Sequence, residues 1–403
     1  MNGIGRVRVL GPLARHADGV RAELSRLGYA LGTIENHVRV MAHLSEWMVG
    51  EGVEPSELSQ DRVEQFFAVL RTQWKRPPTT QTLVPMLGWL RERHIVPALT
   101  RMAPQTPLDV LLKQYHDWLV EDRGLAAPTV RRYEAVARRF LQERRTVVGR
   151  STGVEGLSGT DVTNFRLKEC SRLAVRSAQH LVNDLRSLLR FLFLEGLTPT
   201  ALATAVPPVA GWRDMGLPAM LAASDVTALL DSCDRGHATG LRDFAILTLL
   251  ARLGLRAAEV ADLELGSVDW RAGEMVIRGK GRRVDRLPLP VDVGEALAAY
   301  LADGRPRSMC RTLFLTSHAP QSAMHSQTVS GVVRYACVRA HLPPMGSHRL
   351  RHTLASELLR RGAALPEIGQ VLRHRNLTST TIYAKVDRVT LRAVARPWPG
   401  SGQ

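Results

Sequence analysis

The sequence has few cysteines and no long apolar run. Its cysteines are widely separated and form no Cys-x-x-Cys pair, which argues against a zinc ribbon and fits a reducing cytoplasm. No uninterrupted apolar stretch approaches the roughly 18 residues that a membrane-spanning helix needs. The first ten residues lack the apolar core and the small-residue cleavage site of a secretory signal. These absences predict a cytoplasmic protein without a membrane partner.

Acidic residues are scarce in the last quarter of the chain. The net charge is +16. Lys+Arg minus Asp+Glu is 15−4 = +11 for residues 301–403, but 11−13 = −2 for residues 201–300. Most of the basic residues are arginines, whose guanidinium groups bind phosphate in a bidentate manner. Nucleic acid is therefore the first partner to expect, and the protein is expected at the nucleoid.

The first half of the chain contains a weak internal repeat. Residues 28–33 and 124–129 open similar helical patterns, in which Thr33 and Thr129 are the expected N-caps. The pair Leu58-Ser59 is likewise echoed by Leu157-Ser158. We therefore expect two related bundles of four or five helices each. Pro85 is expected to interrupt one of the later helices of the first bundle.

Proline-containing linkers at 96–107 and 198–218 divide the chain. They predict three domains, at 1–100, 105–205 and 215–403, of which the first two are helical bundles. Within the last of these, 274–278 and 286–290 flank a Gly-Lys-Gly turn and predict a β-hairpin. Ser224 is expected to cap a helix that follows the second linker, and a further helix is expected at 349–361 with Gly362 as its stop. The expected fold is mainly α, with duplicated bundles followed by a mixed α+β domain that has a small antiparallel sheet.

Six side chains in the C-terminal half suit attack on a phosphodiester. Arginines stabilise the negative charge that develops on the non-bridging oxygens, and a lysine on a mobile hairpin can protonate the leaving 5′-oxygen. His348 and Arg351 are three residues apart and share one face of a helix. Ser347 is expected to cap that helix. A phenol becomes a better nucleophile when a base lies nearby, and His348 is the favoured base. His374 would instead bind a non-bridging oxygen of the phosphate. The candidate catalytic residues are Arg256, Lys280, His348, Arg351, His374 and Tyr383.

Each of these residues has a simpler explanation when taken alone. A single tyrosine is usually a packed aromatic, and Arg256 has Glu259 three residues away as a structural partner. His352 lies on the same helix face as His348, so the residues alone do not decide which of the two is the catalytic histidine. The joint order of the six favours catalysis.

That order resembles the tyrosine recombinase (phage integrase) family over roughly residues 105–396. Residues 248–263 resemble its first-arginine box, 279–281 the hairpin with the catalytic lysine, 348–355 the second box, and 372–385 the third box and nucleophile. The resemblance implies that His348 is the catalytic histidine. It also implies that 105–205 is the core DNA-binding domain, in which 108–200 clamp double-stranded DNA, that 215–403 is the catalytic domain with a C-terminal tail helix, and that 1–100 is an extra N-terminal domain. It also implies strand exchange through a 3′-phosphotyrosyl bond without metal or cofactor.

The same resemblance implies a homo-tetramer on two DNA duplexes, alone or with sister recombinases. The segment 386–395 would be a C-terminal helix that docks either in trans on a neighbour or in cis. The chain departs from the family at Arg373, where glycine is usual and arginine either alters the turn or adds a phosphate contact. It also departs in residues 1–100, which suggest a mobile element that integrates or transposes. Two alternatives remain open: a type IB topoisomerase-like nicking–closing enzyme, and a non-catalytic accessory protein.

Overall fold

The computed structural model describes residues 6–74, 78–98, 106–148, 152–210, 220–279, 283–374, 380 and 383. The chain divides into two compact units. Met1–Leu99 together with Gly216–Gln403 form one, and Thr100–Met215 form the other. Across the described ranges, no helix combines the length and the apolar character needed to cross a bilayer.

The N-terminal part of the first unit is a four-helix bundle with its own apolar core. Phe66, Phe67 and Leu90 are among the side chains buried there. The Ser59 hydroxyl accepts the backbone N–H of Arg62 at 3.4 Å and so caps the third helix. The helices are α1 (Ala17–Arg26), α2 (Leu31–Glu51), α3 (Gln60–Gln73) and α4 (Thr80–Glu92).

The second unit is also a four-helix bundle around a separate core, which contains Tyr115, Phe140 and Leu188. Ser158 caps its third helix in a capping box with Asp161. Ser59 and Ser158 therefore have the same role in the two bundles, as the repeated Leu-Ser pairs suggest. The helices are α5 (Pro107–Glu121), α6 (Ala127–Val148), α7 (Gly159–Cys170) and α8 (Val175–Leu194).

Three helix-boundary predictions were wrong. Helix α2 begins at Leu31 and α6 at Ala127, so Thr33 and Thr129 lie in the first turn rather than at the N-cap. The backbone carbonyl of Ala30, not a threonine hydroxyl, accepts the N–H groups of Thr33 and Ile34. Pro85 was expected to interrupt a helix but lies inside α4, because the buried face of that helix offsets the lost backbone hydrogen bond.

The C-terminal part of the first unit is mostly helical and contains a three-stranded antiparallel sheet. The central strand pairs with the third in the register Val276↔Arg286, so the predicted hairpin is present, but its second strand is Val284–Pro288 rather than 286–290. The strands are β1 (Val268–Asp269), β2 (Glu274–Arg278) and β3 (Val284–Pro288); the helices are α9 (Ala223–Asp231), α10 (Ala238–Arg252), α11 (Ala257–Ala261), α12 (Val291–Ala299), α13 (Ser326–Arg339), α14 (His348–Arg360) and α15 (Leu365–Val371).

A backbone hydrogen bond joins the N-terminal bundle to the C-terminal part of the same unit. The Gln321 N–H donates to the Leu27 carbonyl at 2.8 Å. Gly28 follows with a φ of +82°, and a Cβ at this position would lie 2.4–2.8 Å from side-chain atoms of Gln321. Glycine suits this position because it tolerates the positive φ and leaves room for the Gln321 side chain.

Candidate active site

Arg256 stands at the N-cap of α11, at the end of the turn that follows α10. Its backbone N–H donates to Glu259 Oε2 at 2.8 Å and its Nη1 to Oε1 at 2.6 Å. The structural pairing with Glu259 is therefore present. The side chain of Arg256 nevertheless remains 34% exposed. It lines a surface pocket with Ser330, Arg334 and His348, so the side chain is accessible from that pocket.

Glu259 is the anion around which the site is assembled. Its side chain is 4% exposed, and it accepts a second guanidinium, Arg373 Nη2, at 2.9 Å. Burial alone would raise the pKa of this carboxyl. The Arg256 N–H and the positive charges of Arg373 and Arg256 outweigh burial and lower the pKa, so the group is ionised at neutral pH.

Arg351 lies in the first turn of α14 and is buried. Its Nη1 donates to the Gly254 carbonyl at 2.5 Å, and its Nη2 donates to the Leu372 carbonyl. It thereby ties the turn before Arg256 to the turn before His374. Burial, reinforced by the positive charges of Arg256 and Arg373, lowers the pKa of Arg351 to about 10, so it keeps its charge at neutral pH.

His348 begins α14, but Ser347 does not cap that helix through its side chain. Ser347 has helical backbone angles, which keep its hydroxyl away from the first-turn N–H groups, and this hydroxyl lies 3.2 Å from the Ser330 hydroxyl instead. The expected cap was therefore wrong. Burial lowers the pKa of His348, and the neighbouring Arg351 and Arg256 lower it further, so the imidazole is neutral near pH 7.

The turn after α15 places His374. The N–H of His374 donates to the Gly369 carbonyl and that of Arg373 to the Gln370 carbonyl, both at 2.9 Å, which is a Schellman C-cap. The His374 Nδ1 lies 2.7 Å from the Thr380 hydroxyl. Burial and the positive charges of Arg351 and Arg256 lower the pKa of His374 to about 4.

Tyr383 is packed into this cluster with 1% of its surface exposed. Its ring is nearly parallel to that of His374, at 4° and a centroid separation of 6.4 Å. The Tyr383 hydroxyl lies 2.9 Å from His352 Nδ1. Burial raises the pKa of Tyr383, and the fields of Arg351 and Arg256 partly oppose that rise.

The structure brings five of the six predicted side chains into one electrostatically coupled cluster: Arg256, His348, Arg351, His374 and Tyr383. Lys280 and the segment 386–395 lie outside the described residues. Sequence reasoning favoured His348 beside the tyrosine hydroxyl, but the hydroxyl contacts His352. It also missed the buried pair of Arg373 with Glu259. The shared helix face of His348 and His352 was the only signal available for the first of these.

Comparison with known proteins shows to which family of proteins the chain is similar. The phage integrase family matches residues 219–389. The integrase/recombinase y4rA of Sinorhizobium fredii is 37% identical over 98% of this chain and 96% of its own length. Tyrosine recombinase XerD of Mycobacterium tuberculosis is 31% identical over 73% of this chain and 97% of its own length.

Solved structures share the fold. A lambda integrase (75–356) dimer bound to a COC′ core site has a TM-score of 0.54 at 16% identity, over 73% of this chain and 99% of that chain. The XerH site-specific recombinase bound to palindromic difH also has a TM-score of 0.54, at 14% identity, over 73% and 97%.

The chain belongs to the phage integrase family of tyrosine recombinases. It is a site-specific recombinase, an enzyme that cleaves and rejoins DNA strands. The predicted family, fold class and activity are confirmed. The similarity to y4rA includes nearly all of the chain, and with it the N-terminal bundle.

Proposed function

We propose that Tyr383 is the nucleophile of this recombinase. The phenolic oxygen attacks the scissile phosphorus and forms a P–O bond to tyrosine, while the bond to the 5′-oxygen breaks and leaves a 5′-hydroxyl. The attack of a partner strand's 5′-hydroxyl then reverses these bonds. The observation that carries the proposal is the Tyr383 hydroxyl 2.9 Å from a histidine nitrogen within the field of Arg351 and Arg256. The reaction conserves bond energy and requires no cofactor.

Arg256 and Arg351 stabilise the charge that develops on the non-bridging oxygens, with His374 as a further hydrogen-bond donor. Arg256 is partly exposed and lines the same surface pocket as His348, which supports this role. Protonation of the leaving 5′-oxygen is assigned to Lys280 on sequence grounds, because that residue is outside the described part of the chain. His348 stays in the set as a ligand of the phosphate.

His352 is the side chain that we assign to the Tyr383 proton. Its Nδ1 is at hydrogen-bond distance from the hydroxyl and accepts the proton in the tautomer that carries hydrogen on Nε2. Burial, reinforced by His348 and Arg351, lowers the pKa of His352, which favours the neutral, proton-accepting ring at neutral pH.

We further propose double-stranded DNA as the partner and a homo-tetramer on two duplexes as the assembly, alone or with sister recombinases. Structural relatives support this, since lambda integrase is found as a dimer on a core site and as a tetramer on a Holliday junction. The separate cores support a division into domains at 1–100, 105–205 and 215–403. The core DNA-binding role falls to the second bundle, and the N-terminal bundle makes protein–protein or auxiliary DNA contacts. Integration or transposition of a mobile element is the proposed context.

The decisive experiment is covalent trapping on nicked duplexes that tile the DNA flanking the gene. Wild type should form a protein–DNA adduct that survives denaturing gels and persists in EDTA. Tyr383→Phe should form none while it still binds DNA, because it loses only the hydroxyl. His352→Asn should bind equally and form the adduct at least about tenfold more slowly, as expected for the loss of a general base.

Tyr300→Phe is the matched control. Tyr300 is equally buried in the same unit, and its hydroxyl accepts the Leu315 N–H at 3.3 Å. This variant should retain the adduct. An adduct that forms in Tyr383→Phe would overturn the nucleophile, and tight binding by wild type without an adduct would favour an accessory protein. Relaxation of one duplex without strand exchange would favour a topoisomerase-like enzyme.

A further inference from the structure

Arg373 occupies a position whose backbone suits glycine. Its φ is +55°, in the left-handed region, at the C′ position of the Schellman cap that ends α15. Side chains other than glycine are strained there, and a strained residue at a functional site calls for an explanation in its side chain.

The side chain of Arg373 is buried and pairs with groups of the protein. It is 3% exposed, and it donates through Nη2 to Glu259 at 2.9 Å and through Nη1 to the Val371 carbonyl at 3.1 Å. The turn itself is an ordinary helix-ending turn. The two roles considered from sequence, an altered turn and a direct phosphate contact, therefore do not describe this residue.

The net charge of the group formed by Arg256, Glu259 and Arg373 depends on Arg373. Glu259 supplies one negative charge, and both Arg256 and Arg373 pair with it. Two guanidinium groups and one carboxylate leave a net charge of 2−1 = +1. With glycine at 373, the Arg256–Glu259 pair would be neutral. In a largely buried site this difference acts strongly on a bound anion, because few water molecules screen it.

We propose that Arg373 is a positioning residue for the recombination reaction, which neutralises Glu259 from its buried side and so leaves the charge of Arg256 available to the scissile phosphate. The proposal rests on the proposed role of Arg256 at that phosphate. Arg373 acts only through Glu259 and touches no reacting atom.

Arg373→Gly tests the proposal without an unfavourable backbone change, because glycine suits a φ of +55°. The rate of adduct formation on the nicked duplexes should fall about tenfold or more, with DNA binding retained. Adding Glu259→Gln to Arg373→Gly removes the uncompensated carboxylate and should restore most of the rate. A merely structural role predicts the opposite order, since the double variant loses more hydrogen bonds than the single one.

His341→Gly is the matched control for the backbone. His341 also has a φ of +55°, follows α13 in the same unit, and is exposed. Exchange for glycine gives the same conformational relief without altering Glu259. This variant should form the adduct at the wild-type rate.

A second readout does not depend on the DNA target. Inorganic phosphate is titrated into each variant while the ring signals of His348 are followed by NMR. Arg373→Gly should bind phosphate several-fold more weakly than wild type, and the double variant should recover. Equal adduct rates and equal phosphate affinities in wild type and Arg373→Gly would overturn the inference. Failure of wild type itself to form any adduct would overturn the proposed function instead, and the phosphate series would still decide the role of Arg373.

Discussion

The histidines of the site are held in an environment that disfavours their charge. Burial is the first cause at His348, His352 and His374, and nearby arginines add to it. Neutral imidazoles can accept a proton from tyrosine or bind a phosphate oxygen through N–H without adding charge to a site already rich in guanidinium groups. The same environment makes folding sensitive to acid.

His374 gives the clearest stability prediction. Its pKa is about 4 in the folded chain against an ordinary value of 6.5, so between these values the unfolded chain binds more protons. Stability must therefore fall as the pH is lowered through this window. The urea midpoint of wild type should decrease on acidification, and His374→Gln should show a shallower decrease. His318→Gln, which removes an exposed histidine outside the site, is the control, and equal slopes in wild type and His374→Gln would contradict the prediction.

Individual contacts across long sequence separations were not predictable. His352 and Tyr383 are 31 residues apart, and Arg373 and Glu259 are 114 apart. Residue type and spacing identify which groups take part in the chemistry, because the spacing within a helix fixes a shared face. They do not determine which of two histidines on that face meets the tyrosine, because packing between elements decides it.

Secondary structure was predicted well where it is long and periodic, and poorly at its ends. The expected helix at 349–361 is α14 (His348–Arg360), and Gly362 ends it with a φ of +91°. Strand β1 has two residues and gives no periodic signal. Ser224 was expected to cap α9, but the N-cap is Ala222 and Asp225 accepts its backbone N–H. Polar residues within a first turn look alike in sequence, since either a side chain or a backbone carbonyl can satisfy the same donors.

The turn between α10 and α11 offers a prediction for one element. Gly254 has a φ of +56°, and a Cβ there would lie 2.9 Å from side-chain carbons of Leu354 and Leu372. Gly254→Ala should therefore lower the free energy of unfolding by more than the roughly 1–2 kcal/mol of a left-handed alanine. It should also slow adduct formation, because the Gly254 carbonyl holds Arg351.

Gly273→Ala separates the effect of backbone strain from the effect of a steric clash. Gly273 has a φ of +63° and no atom within 4 Å of the added Cβ. The free energy of unfolding of Gly273→Ala should therefore fall only by the cost of the left-handed backbone conformation, and this variant should keep the wild-type cleavage rate. Urea unfolding and covalent trapping of both variants provide the comparison, and equal losses of stability would show that α14 and α15 adjust without cost.

At the scale of the whole molecule, the internal repeat predicted two helical bundles, but the grouping of residues 1–99 with 216–403 was not predicted. Similarity between two bundles says nothing about which neighbour each one contacts. That choice depends on a few surface positions such as Gly28 and Gln321, which carry no periodic pattern.

Gly28→Ala tests that grouping. The new methyl group would collide with the Gln321 side chain, next to the hydrogen bond from the Gln321 N–H to Leu27. Hydrogen exchange at the Gln321 amide should accelerate about tenfold, since about 1.4 kcal/mol corresponds to that factor. Gly52→Ala is the control, because Gly52 has a φ of +65° in the same bundle and open space around it. Equal exchange at Gln321 in the two variants would contradict a docked bundle.

The grouping has a consequence for the thermodynamics of the chain. The unit Thr100–Met215 is an insertion, and both of its ends continue into the same compact body. Docking of the N-terminal bundle therefore closes the intervening polypeptide into a ring, in the way that a cross-link would. Release of that bundle would open the ring and return configurational entropy that depends only weakly on the length enclosed. The contact between residues 1–99 and 216–403 thus holds the two ends of the unit Thr100–Met215 in one compact body.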